Sequence, residues 1–150
     1  MIRTSMPPHA AVQLHVPPSL PAIEVDEGQV RQVIMNLVAN AVDSMENRAG
    51  AIELSAGVVD SHQLPALPLW PHVTLSPGTY VHIDVKDAGA GIPSDQLGKI
   101  FEPFYSTKFT GRGLGLPAVL GIVRGHQGAI QVETALGKGS TFRVLFPAKT

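Results

Sequence analysis

The sequence predicts an α/β fold, because it combines two long helical patterns with five short strand patterns. Apolar residues recur at helical spacing from Val30 to Met45 and again within 115–126. The strand patterns alternate apolar and polar residues, most clearly from Tyr80 to Asp87. At 150 residues the chain has the length of one domain, which we expect to span residues 1–150.

Caps and breakers predict where these elements begin and end. Asp26 is the expected N-cap of the first helix, with Gln29 at the capping-box position, and Gly50 is expected to end that helix. Prolines predict a loop over residues 60–78, and the stretch 88–114 is rich in glycine without a regular period. The strands are predicted at 12–16, 52–59, 80–87, 130–134 and 141–146.

The composition excludes several classes of protein. A net charge of -1 gives no electrostatic reason to expect nucleic acid or an anionic membrane surface as a partner. The absence of cysteine excludes a disulfide framework and a thiolate metal site. No apolar run approaches the ~20 residues that span a bilayer, and the first residues lack the apolar core of a signal peptide. We expect a soluble, cytoplasmic domain excised from a longer protein.

The first helix carries two asparagines four residues apart, Asn36 and Asn40, so both lie on one face. At ~100° per residue, this face points away from the apolar side around Leu37, and Asp43 follows one turn later. Amide oxygens are hard ligands that suit a Mg²⁺ ion holding phosphate oxygens and water. Taken alone, however, the pair is better explained as a solvated helix face.

A carboxylate and two glycines follow the strand that ends at Asp87. Gly89 and Gly91 allow backbone angles that a side chain forbids, and they let a flat ligand approach closely. The Asp87 carboxylate in such a place can accept a hydrogen bond from an exocyclic amine, which selects adenine over guanine. An ordinary turn after a strand is the alternative explanation.

Glycines 111, 113 and 115 lead into the second helix, whose first N–H groups and dipole favour phosphate. Lys108 and Arg112 lie in the same stretch, within reach of terminal phosphates or of solvent. The pattern lacks the features of a dinucleotide fingerprint and of a Walker loop. None of the six histidines belongs to a metal-ligand set, and His126 is expected to cap a helix end. Together, the motifs indicate a site for a metal–nucleoside triphosphate.

The order and spacing of the motifs resemble the N, G1, F and G2 boxes of the catalytic ATP-binding domain of sensor histidine kinases, in the GHKL superfamily. The resemblance is closest to the nitrogen-regulation and hybrid-kinase branch and extends from Leu20 to Pro147. It implies the Bergerat fold, a two-layer α/β sandwich with a mixed sheet backed by helices and a short ATP lid over 94–113. The motifs are Asn36–Asn40, Asp87–Gly91, Phe101–Phe104 with Ser106–Lys108, and Gly111–Leu116.

The resemblance also implies the roles of individual residues. Asn40 would hold Mg²⁺, and Asn36 and Lys108 would act with it in phosphoryl transfer. Asp87 would bind the adenine amine, and Ser140 would reach the base through water. The nucleotide-binding set that the resemblance implies is Asn36, Asn40, Asp87, Gly89, Gly91, Ile92, Thr107, Lys108, Arg112, Gly113, Leu114, Gly115, Leu116 and Ser140.

Asn36 bears on the type of enzyme. Hydrolases of the superfamily resemble one another in carrying Glu at this position as the base for the attacking water, and an amide cannot take that proton. The resemblance therefore implies an ATP- and Mg²⁺-dependent protein histidine kinase. No histidine here has the context of a phosphoacceptor, so the implied partners are a separate dimerisation and phosphoacceptor domain of the parent protein and, indirectly, a response-regulator receiver domain. An ATP hydrolase or serine-kinase relative and a non-catalytic nucleotide-binding module are the alternatives.

Overall fold

The computed structural model describes residues 10–45, 50–71, 74–102 and 115–149. All the predicted helices and strands are present, with one difference at Gly50. Gly50 was expected to end the first helix and is itself the first residue of a strand, where it pairs with Ala10; residues 46–49, which precede it, lie outside the described residues. The elements are β1 (Ala10–His15), α1 (Glu27–Met45), β2 (Gly50–Asp60), a 3-10 helix (Ser61–Gln63), β3 (Thr79–Lys86), α2 (Ser94–Leu97), α3 (Gly115–Gly125), β4 (Ala129–Ala135) and β5 (Gly139–Pro147).

The strands form one mixed sheet in the order β1-β2-β3-β5-β4. Strand β1 runs parallel to β2, and the other neighbours are antiparallel. Lys86 at the end of β3 pairs with Thr141 near the start of β5. The residues that follow β3 therefore lie beside the turn that precedes β5.

Helices α1 and α3 cover one face of this sheet and form the second layer. The apolar face of α1 is buried at Val33, Leu37, Ala41 and Met45, as the helical spacing predicted. These side chains pack with the helix-facing residues of the strands. The strand residues of this core are Ile52, Leu54, Val85, Ile130, Val132, Phe142, Val144 and Phe146. Among the residues that the structure describes, no helix has both the length and the apolar character needed to cross a membrane.

The proline-containing loop between β2 and β3 packs on the opposite face of the sheet. Leu64, Leu69 and Leu75 of this loop contact a small apolar cluster that contains Tyr80 and Leu145. The loop is also held to β4, because the backbone of Trp70 exchanges two hydrogen bonds of 2.9 Å with Ile130. The prediction of a loop is confirmed in the described part of this region, and its packing was not evident from the sequence.

A partly buried ion pair lies on the same face as that loop. Both nitrogens Nε and Nη2 of Arg143 donate to the Asp84 carboxylate, at 3.0 and 2.9 Å to the nearer oxygens. The His82 ring lies 2.9 Å from Asp84 Oδ1. Burial alone would raise the pKa of Asp84, but the hydrogen bonds and charges of His82 and Arg143 together hold that pKa below its usual value.

The two long helices are joined at the N-terminus of α1. Asp26 caps this helix through its side chain, which accepts a 3.0 Å hydrogen bond from the Gln29 backbone N–H. The backbone N–H of Asp26, which a capping box would pair with the Gln29 side chain, donates to Nε2 of His126 at 3.1 Å. Nδ1 of the same ring lies 2.8 Å from the Ile122 carbonyl oxygen. His126 therefore connects the end of α3 to the start of α1, besides capping its own helix.

Candidate functional site

The Asp87 side chain is buried directly after β3, with 3% of its surface exposed. Its Oδ1 atom accepts the backbone N–H of Gly89 at 2.8 Å and that of Ser140 at 3.3 Å. The Asp87 N–H in turn donates to the Ser140 carbonyl oxygen at 2.9 Å. These bonds fix the direction of the carboxyl group, because the Ser140 backbone accepts the Asp87 N–H and also donates its own N–H to the Asp87 side chain.

Burial raises the pKa of the Asp87 carboxyl above its usual value. Hydrogen bonds from the Gly89 N–H, the Ser44 hydroxyl and the Ser140 N–H act in the opposite direction, because they stabilise the ionised form. A buried carboxylate with an incomplete set of donors is a strong acceptor for a further N–H group. This chemistry fits an exocyclic amine such as that of adenine.

The loop after Asp87 runs close to two other parts of the chain, and glycine is required at both contacts. A Cβ atom on Gly89 would lie well inside 3.0 Å of the Ser44 side chain and backbone oxygen. Gly91 has a φ of +78°, and a Cβ there would collide with the carbonyl group of Ala135. The glycine pattern in the sequence is thus explained by close packing against α1 and the β4–β5 turn.

A hydroxyl network continues from Asp87 to the rest of this loop. The Ser140 and Thr134 hydroxyl oxygens are 2.8 Å apart. Thr134 Oγ1 accepts the Ile92 backbone N–H at 2.9 Å and lies 3.2 Å from the Gly139 carbonyl oxygen, to which it donates. The Thr134 hydroxyl therefore hydrogen-bonds both Ile92 and Ser140 and holds these two residues near each other. It was missed in the sequence, where it is only one polar residue in a strand.

Helix α1 brings Asn36 and Asn40 to the same side of the molecule as the start of α3. Nδ2 of Asn36 donates to the Gly115 carbonyl oxygen at 3.3 Å. A Cβ on Gly115 would lie 3.8 Å from the Asn36 side chain, an ordinary van der Waals contact, so this approach does not require glycine. Both asparagines are half-buried rather than fully solvated. One turn beyond Asn40, Ser44 contacts the Asp87 loop, so a single helix spans the asparagine and carboxylate parts of the site.

Two residues of the implied nucleotide-binding set, Leu116 and Ile92, have side chains that pack in or against the hydrophobic core. The Leu116 side chain is buried in the hydrophobic core. The Ile92 side chain packs against the same core, and its N–H is used by Thr134. Phe101 of the third motif is also buried, with its ring centroid 5.2 Å from that of Trp70. Thr107, Lys108, Arg112, Gly113 and Leu114 lie outside the described residues.

The side chains of this site suit a nucleotide and a hard metal ion such as Mg²⁺ better than they suit a transition metal. No group of three His, Cys, Asp or Glu side chains that could hold a metal ion exists among residues 10–45, 50–71, 74–102 and 115–149. Asn40 offers an amide oxygen, which suits a Mg²⁺ ion that keeps water and phosphate oxygens as its other ligands. The Asp87 loop offers one acceptor within a cradle of small residues.

Comparison with known proteins agrees with this arrangement. Residues 25–150 match the model of the family described as histidine kinase-, DNA gyrase B- and HSP90-like ATPase. Sporulation kinase C of Bacillus subtilis is 37% identical over 128 residues, which cover 85% of this chain and 26% of that protein. The sensory histidine kinase/phosphatase NtrB of Rhizobium meliloti is 36% identical over 135 residues, or 89% of this chain and 34% of that protein. The chain thus spans about a third or less of these two relatives.

Solved structures show the same fold. Full-length ShkA in complex with AMPPNP superimposes with a TM-score of 0.73 and 31% identity, over 94% of this chain and 26% of ShkA. The nucleotide-free catalytic domain of histidine kinase ThkA superimposes with a TM-score of 0.70 and 26% identity, over 93% of this chain and 80% of that one. These likenesses confirm the two-layer α/β architecture that the sequence motifs implied.

Proposed function

Because the chain belongs to the family of histidine kinase-, DNA gyrase B- and HSP90-like ATPases, we propose that it binds Mg²⁺-ATP and donates the γ-phosphoryl group to a histidine of a separate domain. The observation that carries this proposal is the buried Asp87 carboxyl group, held by Ser140 and Gly89 beside a helix with two half-buried asparagines. The relatives that share most of the chain are named as sensor or sporulation kinases. We place the domain in the cytoplasm, where ATP is made.

The base is selected by Asp87. Its carboxylate accepts an N–H of the adenine amine, and guanine is rejected because its carbonyl at the same ring position would face the carboxylate. Gly91 would lie beside the ring, and the Ser140 hydroxyl, whose own backbone N–H donates to the Asp87 carboxyl group, would reach the base through water. Burial strengthens this recognition, since a hydrogen bond to a charged acceptor is worth more where water is excluded.

The phosphate end of the site lies along α1 and the start of α3. Asn40 would hold Mg²⁺, which when bound bridges phosphate oxygens and neutralises the charge that develops during transfer. The Asn36 side chain donates a hydrogen bond to the carbonyl oxygen of Gly115, the first residue of α3, and so holds the two helices together. Gly113, Gly115, Lys108 and Arg112 would supply N–H groups and cations to the phosphates. We propose that residues 94–113 act as the lid, with Phe101 as an anchor at its base.

The hydrogen bond of Asn36 favours a kinase over a hydrolase. Its amide group donates to the Gly115 carbonyl oxygen, which requires a donor at this position. A hydrolytic base at this position must take a proton from the attacking water, and an amide group is not basic enough to do so. The chain would therefore use a protein side chain as acceptor, provided by a dimerisation domain of the parent protein, and a receiver domain would take the phosphoryl group in a later step.

Two measurements test the proposal. Calorimetric titration with ATP and GTP in the presence of Mg²⁺ should show binding of ATP only. Incubation with γ-labelled ATP and the phosphoacceptor domain of the parent protein should label that domain on histidine, while the chain alone releases little free phosphate. Rapid phosphate release by the chain alone would favour the hydrolase, and a chain that does not bind ATP would exclude both.

A further inference from the structure

Ser44 lies where the helix of the two asparagines meets the loop of the base-binding carboxylate. It is in the last turn of α1 and is half-buried. Four residues separate it from Asn40, so the two side chains lie on one face, about 6 Å apart along the helix axis. No motif of the sequence analysis includes Ser44.

Three contacts connect Ser44 with the loop after β3. Its carbonyl oxygen accepts the Ala90 backbone N–H at 3.3 Å. Its side chain and backbone lie so close to Gly89 that no Cβ would fit there. Its hydroxyl group is also near enough to the Asp87 carboxyl group to act on the pKa of that group as a hydrogen-bond donor, against the effect of burial. Ser44 therefore contacts the carboxylate and two of the three residues that follow it.

The hydroxyl has a choice of acceptor. Ser44 Oγ also lies 3.2 Å from the Ala41 carbonyl oxygen of the preceding turn. A hydroxyl has one hydrogen, so it can donate fully to Ala41 or to Asp87 but not to both. An ionised Asp87 attracts this hydrogen more strongly than a helix carbonyl, because hydrogen bonds to charged acceptors are about twice as strong as neutral ones.

On the basis of the proposed function, we propose that Ser44 is a positioning residue that donates to the Asp87 carboxylate and keeps it oriented toward the amine of the base. Ser44 thereby connects base recognition to the helix that carries Asn40. The hydroxyl supplies a third donor beside the N–H groups of Gly89 and Ser140. The carbonyl oxygen of Ser44 holds the loop backbone. One turn of α1 thereby sets the distance between the carboxylate that binds adenine and the helix face that carries the asparagines.

A clean test is available because the side chain and backbone of Ser44 act separately. Ser44→Ala removes the hydroxyl, leaves the Ala90 contact and adds no atoms near Gly89. The probes are ATP and the triphosphate of purine riboside, which lacks the 6-amino group. We expect ATP affinity to fall roughly threefold to tenfold, the effect of one lost hydrogen bond, and affinity for the purine analogue to stay within about twofold of the wild type.

Two controls separate this role from a general structural effect. Ser55→Ala makes the same chemical change on β2, and we expect it to leave both affinities unchanged. In an Asp87→Asn background, Ser44→Ala should change ATP affinity by less than about twofold, since the group through which it acts has been altered. Equal weakening of both nucleotides, no weakening of either, or full additivity with Asp87→Asn would overturn the inference. A wild-type chain that binds neither nucleotide would instead overturn the proposed function.

Discussion

Asn36 of α1 donates a hydrogen bond of 3.3 Å to the carbonyl oxygen of Gly115 in α3. At the other end of α3, His126 accepts the N–H of Asp26, which precedes α1. The two helices are therefore joined at both ends of α3 and run antiparallel. The first of these contacts lies within the proposed phosphate-binding region, so we expect a change there to affect both stability and phosphoryl transfer.

We expect Asn36→Asp to lower both the stability of the chain and its rate of phosphoryl transfer. The carboxylate has the size of the amide but would place an oxygen against the Gly115 carbonyl oxygen. A lost hydrogen bond with an unsatisfied partner costs roughly 1–3 kcal/mol. Thermal unfolding and labelling of the phosphoacceptor domain measure the two effects. Gln32→Glu makes the same change of charge at an exposed position of α1, and a similar loss in that control would contradict our explanation.

Asp87→Asn should weaken ATP binding but stabilise the fold at neutral pH. The loss of a charged acceptor corresponds to about 1.5–3 kcal/mol, or roughly tenfold to more than a hundredfold in affinity. Because burial raises the pKa of Asp87, the folded state holds the proton more tightly than the unfolded state. This contribution to stability is present below the unfolded pKa of ~4 and is lost as the pH rises through the folded pKa.

The pH dependence of unfolding checks this prediction. The gain in melting temperature of Asp87→Asn over the wild type should be small in acid and should grow toward neutral pH. ATP affinity of the wild type should fall as the pH decreases through the folded pKa, because a protonated carboxyl loses its negative charge. Unchanged ATP affinity in a folded Asp87→Asn variant would exclude Asp87 as the base-binding group.

Gly89→Ala and Gly121→Ala should have opposite effects. A Cβ on Gly89 would meet the Ser44 backbone oxygen, so the loop must shift and take Asp87 with it. A Cβ on Gly121 meets nothing within 4 Å and lies inside α3. Alanine there should stabilise the helix by roughly 0.5–1 kcal/mol. Chemical unfolding and ATP titration of both variants provide the comparison, and a Gly89→Ala chain with normal ATP affinity would disprove the close-packing argument.

Arg143→Met should destabilise the chain without changing ATP affinity. Arg143 holds the buried Asp84 with two nitrogens, on the sheet face away from the helices. Loss of a hydrogen-bonded charge pair of this kind costs roughly 1.5–3 kcal/mol. Since the pKa of Asp84 is lowered, its contribution is present above the unfolded pKa of ~4 and is lost as the pH falls through the folded pKa. The difference between variant and wild type should therefore shrink in acid.

The control for Arg143→Met is Lys86→Met, which removes a cation from an exposed position near the end of β3. Lys86 should contribute little, because exposed charges are screened by water and salt. A destabilisation as large as that of Arg143→Met would mean that net charge, rather than the Asp84 pair, is responsible.

Asn40→Ala should remove the dependence of nucleotide affinity on Mg²⁺. The wild type is expected to bind ATP more tightly with Mg²⁺ than with a chelator, whereas the variant should bind it equally in both. Adenosine affinity should not change, because the base contacts are at Asp87. A variant that still labels the phosphoacceptor domain at the wild-type rate would show that Asn40 is not the metal ligand.

The helices and strands were largely predictable because the residues that face the core between the sheet and the helices are apolar in each of them, and a buried face leaves a period in the sequence. Val33, Leu37 and Ala41 repeat at the spacing of a helix, and Val81 and Val85 at that of a strand. The candidate residues Asn36, Asn40 and Asp87 could also be selected, because the four motifs occur together in an order that resembles a known family, although each motif alone has an ordinary explanation. Their roles remain proposals that the variants above test.

The sequence by itself determined the elements, the apolar core and the four motifs, since these depend on residues that are near one another along the chain. Only the tertiary structure decided that Ser140 donates to Asp87, that the Ser44 carbonyl oxygen accepts the N–H of Ala90, that Thr134 accepts the N–H of Ile92, and that His126 accepts the N–H of Asp26. The residues of each of these pairs lie more than 40 positions apart in the sequence. A single serine, threonine or histidine carries no periodic signal, and its partner is chosen by the packing of the helices on the sheet.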